Sequence, residues 1–241
     1  MPTLVRISDL GLYLRCPRLV YFDALGRLPR KVSLVHLLLH DLMLSISCGE
    51  DLEGRLLIEL ANLEQELPII YGEEIDAQAI FPAAREVEAL IPAIAQNLAS
   101  SLDKILPSEV EVDLRSERLG LSGRLDRLVK NGNTPSIIKT GSAPAEGVWK
   151  RDRLQLAGMC MLIAEKYCKR IDHGLVEYPR SGIVREVQIH SVDRSRVLRL
   201  RNRIKQIKEG RLPDRPEEAR CYDCDLRDRC ETRMSLASKF F

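Results

Sequence analysis

The stretch GRLDRLVKNGNTPSIIK, residues 123–139, contains the strongest fold signal in the sequence. Apolar and polar side chains alternate on both sides of Asn131-Gly132, a dipeptide that strongly favours a tight turn between antiparallel strands. The pattern therefore predicts a hairpin with strands over residues 119–130 and 135–140. Asp126 lies in the first predicted strand and Lys139 in the second, so an acid and a base stand on partner strands.

The segments on either side of this hairpin predict an α/β core with a helical N-terminal part. Ser8 is predicted to cap the first helix and Pro17 to begin the second. Pro68 and Pro82 are predicted to interrupt the segments that follow, together with Gly72 and Pro92. Apolar periodicity predicts further helices over residues 34–44, 51–66, 153–169 and 194–211, and further strands over residues 109–114, 174–178 and 183–189.

The net charge of +2, from 37 Lys and Arg against 35 Asp and Glu, conceals a strong charge asymmetry. Residues 50–117 carry 16 acidic and 4 basic side chains, a local charge of −12. Residues 194–211 carry 8 basic side chains and 1 acidic one, a local charge of +7, on an apolar helical repeat. Arg199 and Arg203 on this basic helix are candidates for contacts with DNA phosphates. A solvated helix face with no partner is the alternative that the charge pattern leaves open.

The composition excludes several classes of protein. A chain of 241 residues with 45% hydrophobic and 30% charged residues is typical of a folded protein of one large or two small domains. The most apolar stretch, residues 34–46, is too short to span a membrane and contains His36, His40 and Asp41. The first residues do not follow the pattern of a secretory leader. We therefore expect a soluble, cytoplasmic protein with no membrane partner.

Seven cysteines are unusual for a chain expected in a reducing compartment, and the odd number argues against a secreted disulfide framework. Cys221, Cys224 and Cys230 form the motif C-x2-C-x5-C, which can place three thiolates on one metal centre. Tetrahedral zinc and cubane iron–sulfur clusters both need a fourth ligand, for which Cys16 is the best candidate. A partial zinc knuckle with an incidental Cys16 is the alternative. The remaining cysteines are predicted to be ordinary buried thiols: Cys48, Cys160 and Cys168.

Asp126, Lys139 and Gln155 follow one another in an order that resembles the RecB-like branch of the PD-(D/E)XK nucleases. In that family the aspartate, and an acid two residues before the lysine, bind a divalent metal ion, and an upstream histidine adds a ligand. Here His40 is the better match for that histidine, and His36 is the alternative. The resemblance implies catalytic roles for Asp126, Lys139 and Gln155, with Mg²⁺ or Mn²⁺ held by His40 and Asp126.

With the cysteines added, the sequence is similar to the CRISPR-associated RecB-like iron–sulfur exonucleases from Cys16 to Cys230. That family has one cysteine before the nuclease core and three after it, which implies that Cys16, Cys221, Cys224 and Cys230 hold a 4Fe-4S cluster. The resemblance also implies DNA as the substrate, a restriction-endonuclease-like fold, and the CRISPR integrase complex as a partner. The implied regions are a helical N-terminal region, a nuclease core and a cluster region, over residues 1–106, 107–212 and 213–241.

The sequence departs from this family at Ile137, which stands two residues before Lys139. An isoleucine cannot coordinate a metal ion, and its apolar surface disfavours Mg²⁺ and water. Met159 stands where the family often has a tyrosine. The sequence therefore predicts a DNA-binding protein whose nuclease activity is weak or lost.

Two other functions stay open at the level of the sequence. An active Mg²⁺- or Mn²⁺-dependent exonuclease would need an acid supplied by another strand, with Glu109, Glu111 and Glu177 as the candidates. A small iron–sulfur redox protein is the third possibility. It is disfavoured because a cluster that joins Cys16 to the three distant cysteines has the character of a structural site.

Overall fold

The computed structural model of the protein describes residues 3–29, 33–130, 133–219 and 221–232. Its helices are α1 (Ile7–Arg15), α2 (Pro17–Ala24), α3 (Leu34–Ser45), α4 (Leu52–Tyr71), α5 (Ala77–Glu88), α6 (Ile91–Leu98), α7 (Leu102–Ile105), α8 (Lys150–Lys166), α9 (Ser191–Lys208) and α10 (Arg227–Thr232). Its strands are β1 (Val5–Arg6), β2 (Ser108–Ser116), β3 (Leu121–Val129), β4 (Thr134–Ile138), β5 (His173–Tyr178) and β6 (Ile183–Gln188).

All six strands belong to one mixed sheet. Strand β2 runs antiparallel to β3 along one side of it, whereas β1 and β4 share the other side. Strand β5 runs parallel to β4 and antiparallel to β6. In this register Ile137 is paired with Val176 and Ile138 with Glu177. The end of the hairpin therefore lies directly beside a glutamate of the neighbouring strand.

Helices cover both faces of this sheet. On one face, α1, α8 and α9 bury an apolar cluster that includes Ile137 and Val176; we call this the α8 face. On the other face, α3 to α6 bury a second cluster that includes Ile138 and Leu175; we call this the α3 face. Successive residues of β4 thus point to opposite faces, as expected for an extended strand. The α/β architecture with a helical N-terminal part is confirmed.

The alternation of β3 shifts by one residue at Asp126. Leu125 and Leu128 both point to the α8 face although they are three residues apart. Arg127, between them, reaches α3 on the other face. Opposite Asp126 on β2, Glu111 has a positive φ of 53°, and the ladder skips this pair. Irregularities of this kind redirect side chains beside functional sites, and this one places Asp126 between the two faces.

Most sequence predictions for the elements are confirmed within five residues at each end, including the start of α2 at Pro17. The predicted cap at Ser8 is wrong. Ser8 lies inside α1, and the helix begins after Arg6, whose main-chain N–H donates to Asp9 Oδ2 at 2.9 Å. The predicted turn at Asn131 and Gly132 lies outside the described residues.

The predicted interruptions at Pro68 and Pro82 are also wrong, because both prolines lie inside helices, in α4 and α5. Both side chains are on the exposed side of their helix, where the carbonyl freed four residues earlier can reach water. Gly72 does end α4, with a φ of 50°, and Pro92 lies in the first turn of α6. The short elements β1 and α10 had no counterpart in the sequence prediction.

Candidate active site and cysteine centre

Helix α3 brings His40 to the hairpin. Its ring nitrogen Nε2 lies 3.3 Å from Asp126 Oδ1, and its Nδ1 lies 3.1 Å from Asp41 Oδ1. The second oxygen of Asp126 accepts a hydrogen bond from the main-chain N–H of Ile138 at 2.7 Å. His36 is exposed one helical turn earlier. Of the two histidines that the sequence left open, the structure places His40 beside Asp126.

The electrostatics of His40 follow from its position between two carboxylates. Burial lowers the pKa of its imidazole, but hydrogen bonds and charge interactions with Asp126 and Asp41 outweigh burial and raise the pKa to about 9. At neutral pH the ring is therefore an imidazolium that donates to both acids. A metal ion that binds His40 must displace this proton.

Lys139 directly follows β4, and its main-chain N–H donates to Glu177 O at 2.8 Å. Burial lowers the pKa of its ammonium group, whereas the nearby charges of Asp126 and Asp152 act to raise it. Asp152, in the first turn of α8, is fully buried and accepts a hydrogen bond from Tyr178 Oη at 2.9 Å. The sequence analysis missed Asp152. The available signal was an acid three residues before Gln155, on the helix that follows the hairpin.

Ile137 fills the position of the expected metal-binding acid and is only 2% exposed. Its side chain packs in the apolar cluster of the α8 face, beside Val176. Met159, the second departure from the family pattern, is buried in the same cluster. An apolar side chain, and no carboxylate, therefore stands at this position of the hairpin.

The three acids considered as replacements have different surroundings. Glu109 and Glu111 are exposed on β2, and Glu111 forms an ion pair with Arg124 at 3.0 Å. Glu177 is fully buried on the α3 face, where its Oε1 accepts hydrogen bonds from Arg127 Nε at 3.1 Å and Ser136 Oγ at 2.6 Å.

Burial raises the pKa of the Glu177 carboxyl, and the charge of Asp126 adds to this effect. Its second oxygen, Oε2, has no hydrogen-bond partner in the part of the chain that the structure describes.

Gln155 is half-buried on α8 and faces α1. A Cβ added at Gly11 would lie 2.7 Å from its Nε2, so the glycine makes room for this amide. Within the described residues, no hydrogen bond joins Gln155 to Asp126 or Lys139. The helix therefore carries the glutamine at the predicted position but directs it towards α1.

The four predicted cysteine ligands line one cavity of about 30 Å³. Cys16 lies at the junction of α1 and α2, and the other three come from the segment that contains α10. Burial raises the pKa of the Cys16 thiol, and the nearby Cys230 and Cys221 add to the shift. The buried Arg18 donates to Cys230 Sγ at 3.1 Å.

The other cysteines lie apart from this cavity. Cys160 is buried, as predicted, but Cys48 and Cys168 are exposed, so the prediction of three buried thiols is wrong for two of them. Cys48 lies in the connection between α3 and α4, and Cys168 just beyond the end of α8. Among residues 3–29, 33–130, 133–219 and 221–232, no three His, Cys, Asp or Glu side chains are arranged so that they could hold a metal ion.

The basic helix α9 packs on the α8 face, against α1, α2 and α8. Arg199 and Arg203 are exposed, and within the described segments neither has an ion-pair partner. Arg201 points back to donate to Leu119 O at 2.5 Å, at the turn before β3. Six extended residues, about 20 Å, separate this turn from Asp126. The predicted DNA-binding arginines therefore form a surface of their own, away from the hairpin acid.

None of the helices in the described residues has the length and apolarity that crossing a membrane would require. Comparison with known proteins finds similar sequences and a similar solved structure. An uncharacterized protein of Archaeoglobus fulgidus is 28% identical over 239 residues, which cover 98% of this chain and 100% of that protein. The CRISPR-associated exonuclease Cas4/endonuclease Cas1 fusion of Myxococcus xanthus is 29% identical over 138 residues, which cover 50% of this chain but 23% of the fusion.

A crystal structure of a candidate exonuclease from Eubacterium rectale superposes with a TM-score of 0.59 at 14% identity, over 95% of this chain and 88% of that one. At this identity the superposition shows a shared fold. The profile of the PD-(D/E)XK nuclease superfamily matches residues 7–231, which include the hairpin, α8 and all four cysteines of the cavity. The chain therefore belongs to the PD-(D/E)XK nuclease superfamily.

Proposed function

We propose that this chain binds DNA ends on a nuclease fold and that its own phosphodiester hydrolysis is weak or lost. The observation that carries the proposal is Ile137, which is buried in the α8 face two residues before Lys139. Hydrolysis assisted by Mg²⁺ or Mn²⁺ needs carboxylates that hold the cation against the attacking and leaving oxygens. An isoleucine supplies no such ligand.

The remaining donors fit a divalent cation poorly. Asp126 and His40 would hold it, and the cation would supply charge stabilisation at a bound phosphate. The raised pKa of His40, about 9, keeps the ring protonated at neutral pH, so a cation competes with a proton for it. Both the missing acid and this competition lower the expected affinity for Mg²⁺ or Mn²⁺.

Binding of DNA depends less on the missing acid. Arg199 and Arg203 provide two exposed positive charges on α9. Phosphate contacts by such side chains contribute most of the sequence-independent affinity of DNA-binding proteins. The exposed face of α9 can therefore hold DNA whether or not the hairpin cleaves it.

The cysteine cavity supports an iron–sulfur centre as the second part of the proposal. Four thiols around one cavity are the donor set of a 4Fe-4S cluster, and the buried guanidinium of Arg18 donates to one of them, Cys230 Sγ. Cys16, Cys221, Cys224 and Cys230 would hold the cluster, which would link the α1–α2 junction to the segment of α10. Absorbance and iron content of anaerobically purified protein distinguish this cluster from zinc.

One similar protein supports a proposal for the process in which this chain binds DNA. It is an exonuclease–endonuclease fusion of the CRISPR system, although the matched part is 23% of that protein. We extend the proposal to DNA ends that are processed during spacer acquisition or DNA repair, with the CRISPR integrase complex as the partner.

Glu177 favours a second candidate function, an active exonuclease with a relocated acid. Its buried Oε2 lacks a partner among the described residues, and its strand lies beside the end of the hairpin. Rotation of this side chain towards Asp126 would restore a second carboxylate. It would also remove the partner of Arg127.

The deciding experiment measures cleavage of end-labelled linear DNA by anaerobically purified protein with Mn²⁺. We expect little cleavage by the wild type and a gain of cleavage in Ile137→Glu, with no gain in Ile138→Glu, a matched control on the same strand but the opposite face. Strong wild-type cleavage that Asp126→Ala abolishes would contradict the proposal. If Glu177→Gln also abolished that cleavage, Glu177 would be identified as the relocated metal-binding acid.

A further inference from the structure

Arg18 is the second residue of α2, and only 8% of it is exposed. Arginine is almost never buried in proteins unless other groups satisfy its charge and its donors. Here the guanidinium lies in the wall of the cysteine cavity, two residues after Cys16. Its partners lie on the segment that carries the other three cysteines, residues 213–230.

Two nitrogens of Arg18 hold both ends of this segment. Nε donates to Pro213 O at 3.1 Å, just after the chain leaves α9. Nη1 donates to Cys230 Sγ at 3.1 Å and to Cys230 O at 3.5 Å. One side chain of α2 thus fixes the positions of residues 213 and 230 relative to Cys16.

The contact with Cys230 Sγ differs from the other two, because this sulfur is the atom that would bond to iron. Hydrogen bonds to the sulfurs are among the factors that set the reduction potential of iron–sulfur clusters. Such a bond withdraws electron density from the sulfur, and a nearby positive charge favours the state that carries the extra electron. Arg18 combines both effects, since its guanidinium stays charged.

Two further arginines line the cavity, Arg215 and Arg227, and both are exposed. Water screens an exposed charge, whereas a charge in the protein interior acts through a lower effective dielectric constant. Of these three arginines, Arg18 is therefore the one whose charge should act most strongly on a cluster in the cavity.

We propose that Arg18 is a positioning residue for the iron–sulfur centre, which orients Cys230 Sγ and raises the reduction potential of the cluster. This inference rests on the proposed iron–sulfur centre and adds the residue that tunes it. The reduced centre carries one more negative charge than the oxidised one. The guanidinium stabilises that charge without gaining or losing a proton.

The test is a redox titration of the full chain, purified anaerobically and assayed for iron, with dithionite as the one-electron reductant and absorbance as the readout. At the midpoint potential of the wild type, Arg18→Gln should lower the ratio of reduced to oxidised cluster about tenfold, which for one electron is a shift of about 59 mV to lower potential. Arg18→Lys keeps the charge but loses the planar fork, so it should lower the ratio less, by about threefold. Arg215→Gln removes the same charge from the exposed wall of the cavity and should change the ratio less than about twofold.

The outcomes separate this inference from the proposed function. If the wild type carries no iron–sulfur centre, the proposed centre fails and the role of Arg18 fails with it. If the wild type and Arg18→Gln both carry the cluster and have the same potential, the role of Arg18 alone is overturned. An equal shift in Arg215→Gln would also overturn it. If Arg18→Gln does not retain iron, Arg18→Lys decides, and an unchanged potential in that variant would overturn the inference.

Discussion

The hairpin site and the cysteine cavity both join distant parts of the chain, but they are stabilised differently. At the hairpin, opposite charges meet within the protein, since His40 lies between Asp126 and Asp41 and Arg127 meets Glu177. At the cavity, four thiols surround a small space, and Arg18 donates a hydrogen bond to one of them, Cys230. The first site is complete without a ligand, whereas the second offers donors that a ligand would have to join. We therefore expect the stability of the cysteine cavity to depend on a bound metal centre and the stability of the hairpin site not to depend on one.

Loss of a cysteine ligand should have the largest effect. Cys221→Ser should remove the colour and iron expected of the proposed cluster and lower the free energy of unfolding by about 5 kcal/mol, because that cluster would cross-link a loop of roughly 200 residues. Absorbance, iron content and urea unfolding measure these changes. Cys168→Ser, at an exposed cysteine outside the cavity, should change none of them. Unchanged colour and stability in Cys221→Ser would show that the cysteine cavity, like the hairpin site, does not depend on a bound metal centre.

The buried ion pair on the α3 face should come next. Arg127→Met leaves the fully buried Glu177 without its cation, which typically costs about 3–5 kcal/mol of unfolding free energy. Replacing both residues, as Arg127→Met with Glu177→Leu, should recover much of that loss because no unpaired charge remains. Chemical denaturation of the two variants tests this prediction. Equal losses in the single and double variants would show that Arg127 stabilises the fold mainly through Met43 and Ser108.

The protonated histidine should contribute a smaller, pH-dependent stabilisation. The pKa of His40 rises from 6.5 to about 9 on folding, so its contribution is fully present below pH 6.5 and is lost as the pH rises through about 9. In metal-free buffer the wild type should lose stability over this range more steeply than His40→Gln. His36→Gln, on the same helix, should follow the wild type. A pKa near 6.5 for His40 by NMR titration would contradict the arrangement in which its ring donates to both Asp126 and Asp41.

The basic helix should give the smallest effect, seen in DNA affinity and not in stability. Reversing the charge of both Arg199 and Arg203 should reduce the slope of log affinity against log salt by about 2, one for each lost phosphate contact. The hairpin site and the cysteine cavity should keep their structure, because the two arginines are exposed on α9, away from the hairpin acid. Arg170→Glu, at a residue whose side chain is 84% exposed outside α9, serves as the control. Identical slopes in all three proteins would restore the interpretation of α9 as a solvated face.

The sequence predicted the elements that depend on local pattern. Strand alternation and helical periodicity located β2 to β6, α3, α8 and α9, because side-chain direction repeats with the period of each element. The motif of three cysteines and the proline after Cys16 predicted a set of four ligands, and these four cysteines line one cavity; their role as ligands stays a prediction. The strand alternation on both sides of the predicted turn also placed Asp126 and Lys139 on partner strands; Asp126 lies in β3, and Lys139 directly follows β4.

The features that the sequence analysis missed depend on tertiary contacts. Asp152 is recognisable as part of the site only once Tyr178 and Lys139 surround it. The one-residue shift at Asp126 depends on the unpaired Glu111 of the neighbouring strand, which no local pattern reveals. Gln155 was placed on the correct helix, but its direction towards α1 depends on the space left by Gly11.

The wide separation of the cavity cysteines along the chain has a consequence for biogenesis. Cys16 leaves the ribosome early, whereas Cys230 follows 214 residues later, roughly 10 to 40 s at ordinary rates of synthesis. During this interval the thiol of Cys16 lacks its three neighbours and is accessible to oxidants. Delivery of iron and sulfide to the proposed centre would thus follow translation of the hairpin and α8, and a nascent chain halted before residue 221 would carry the hairpin without that centre.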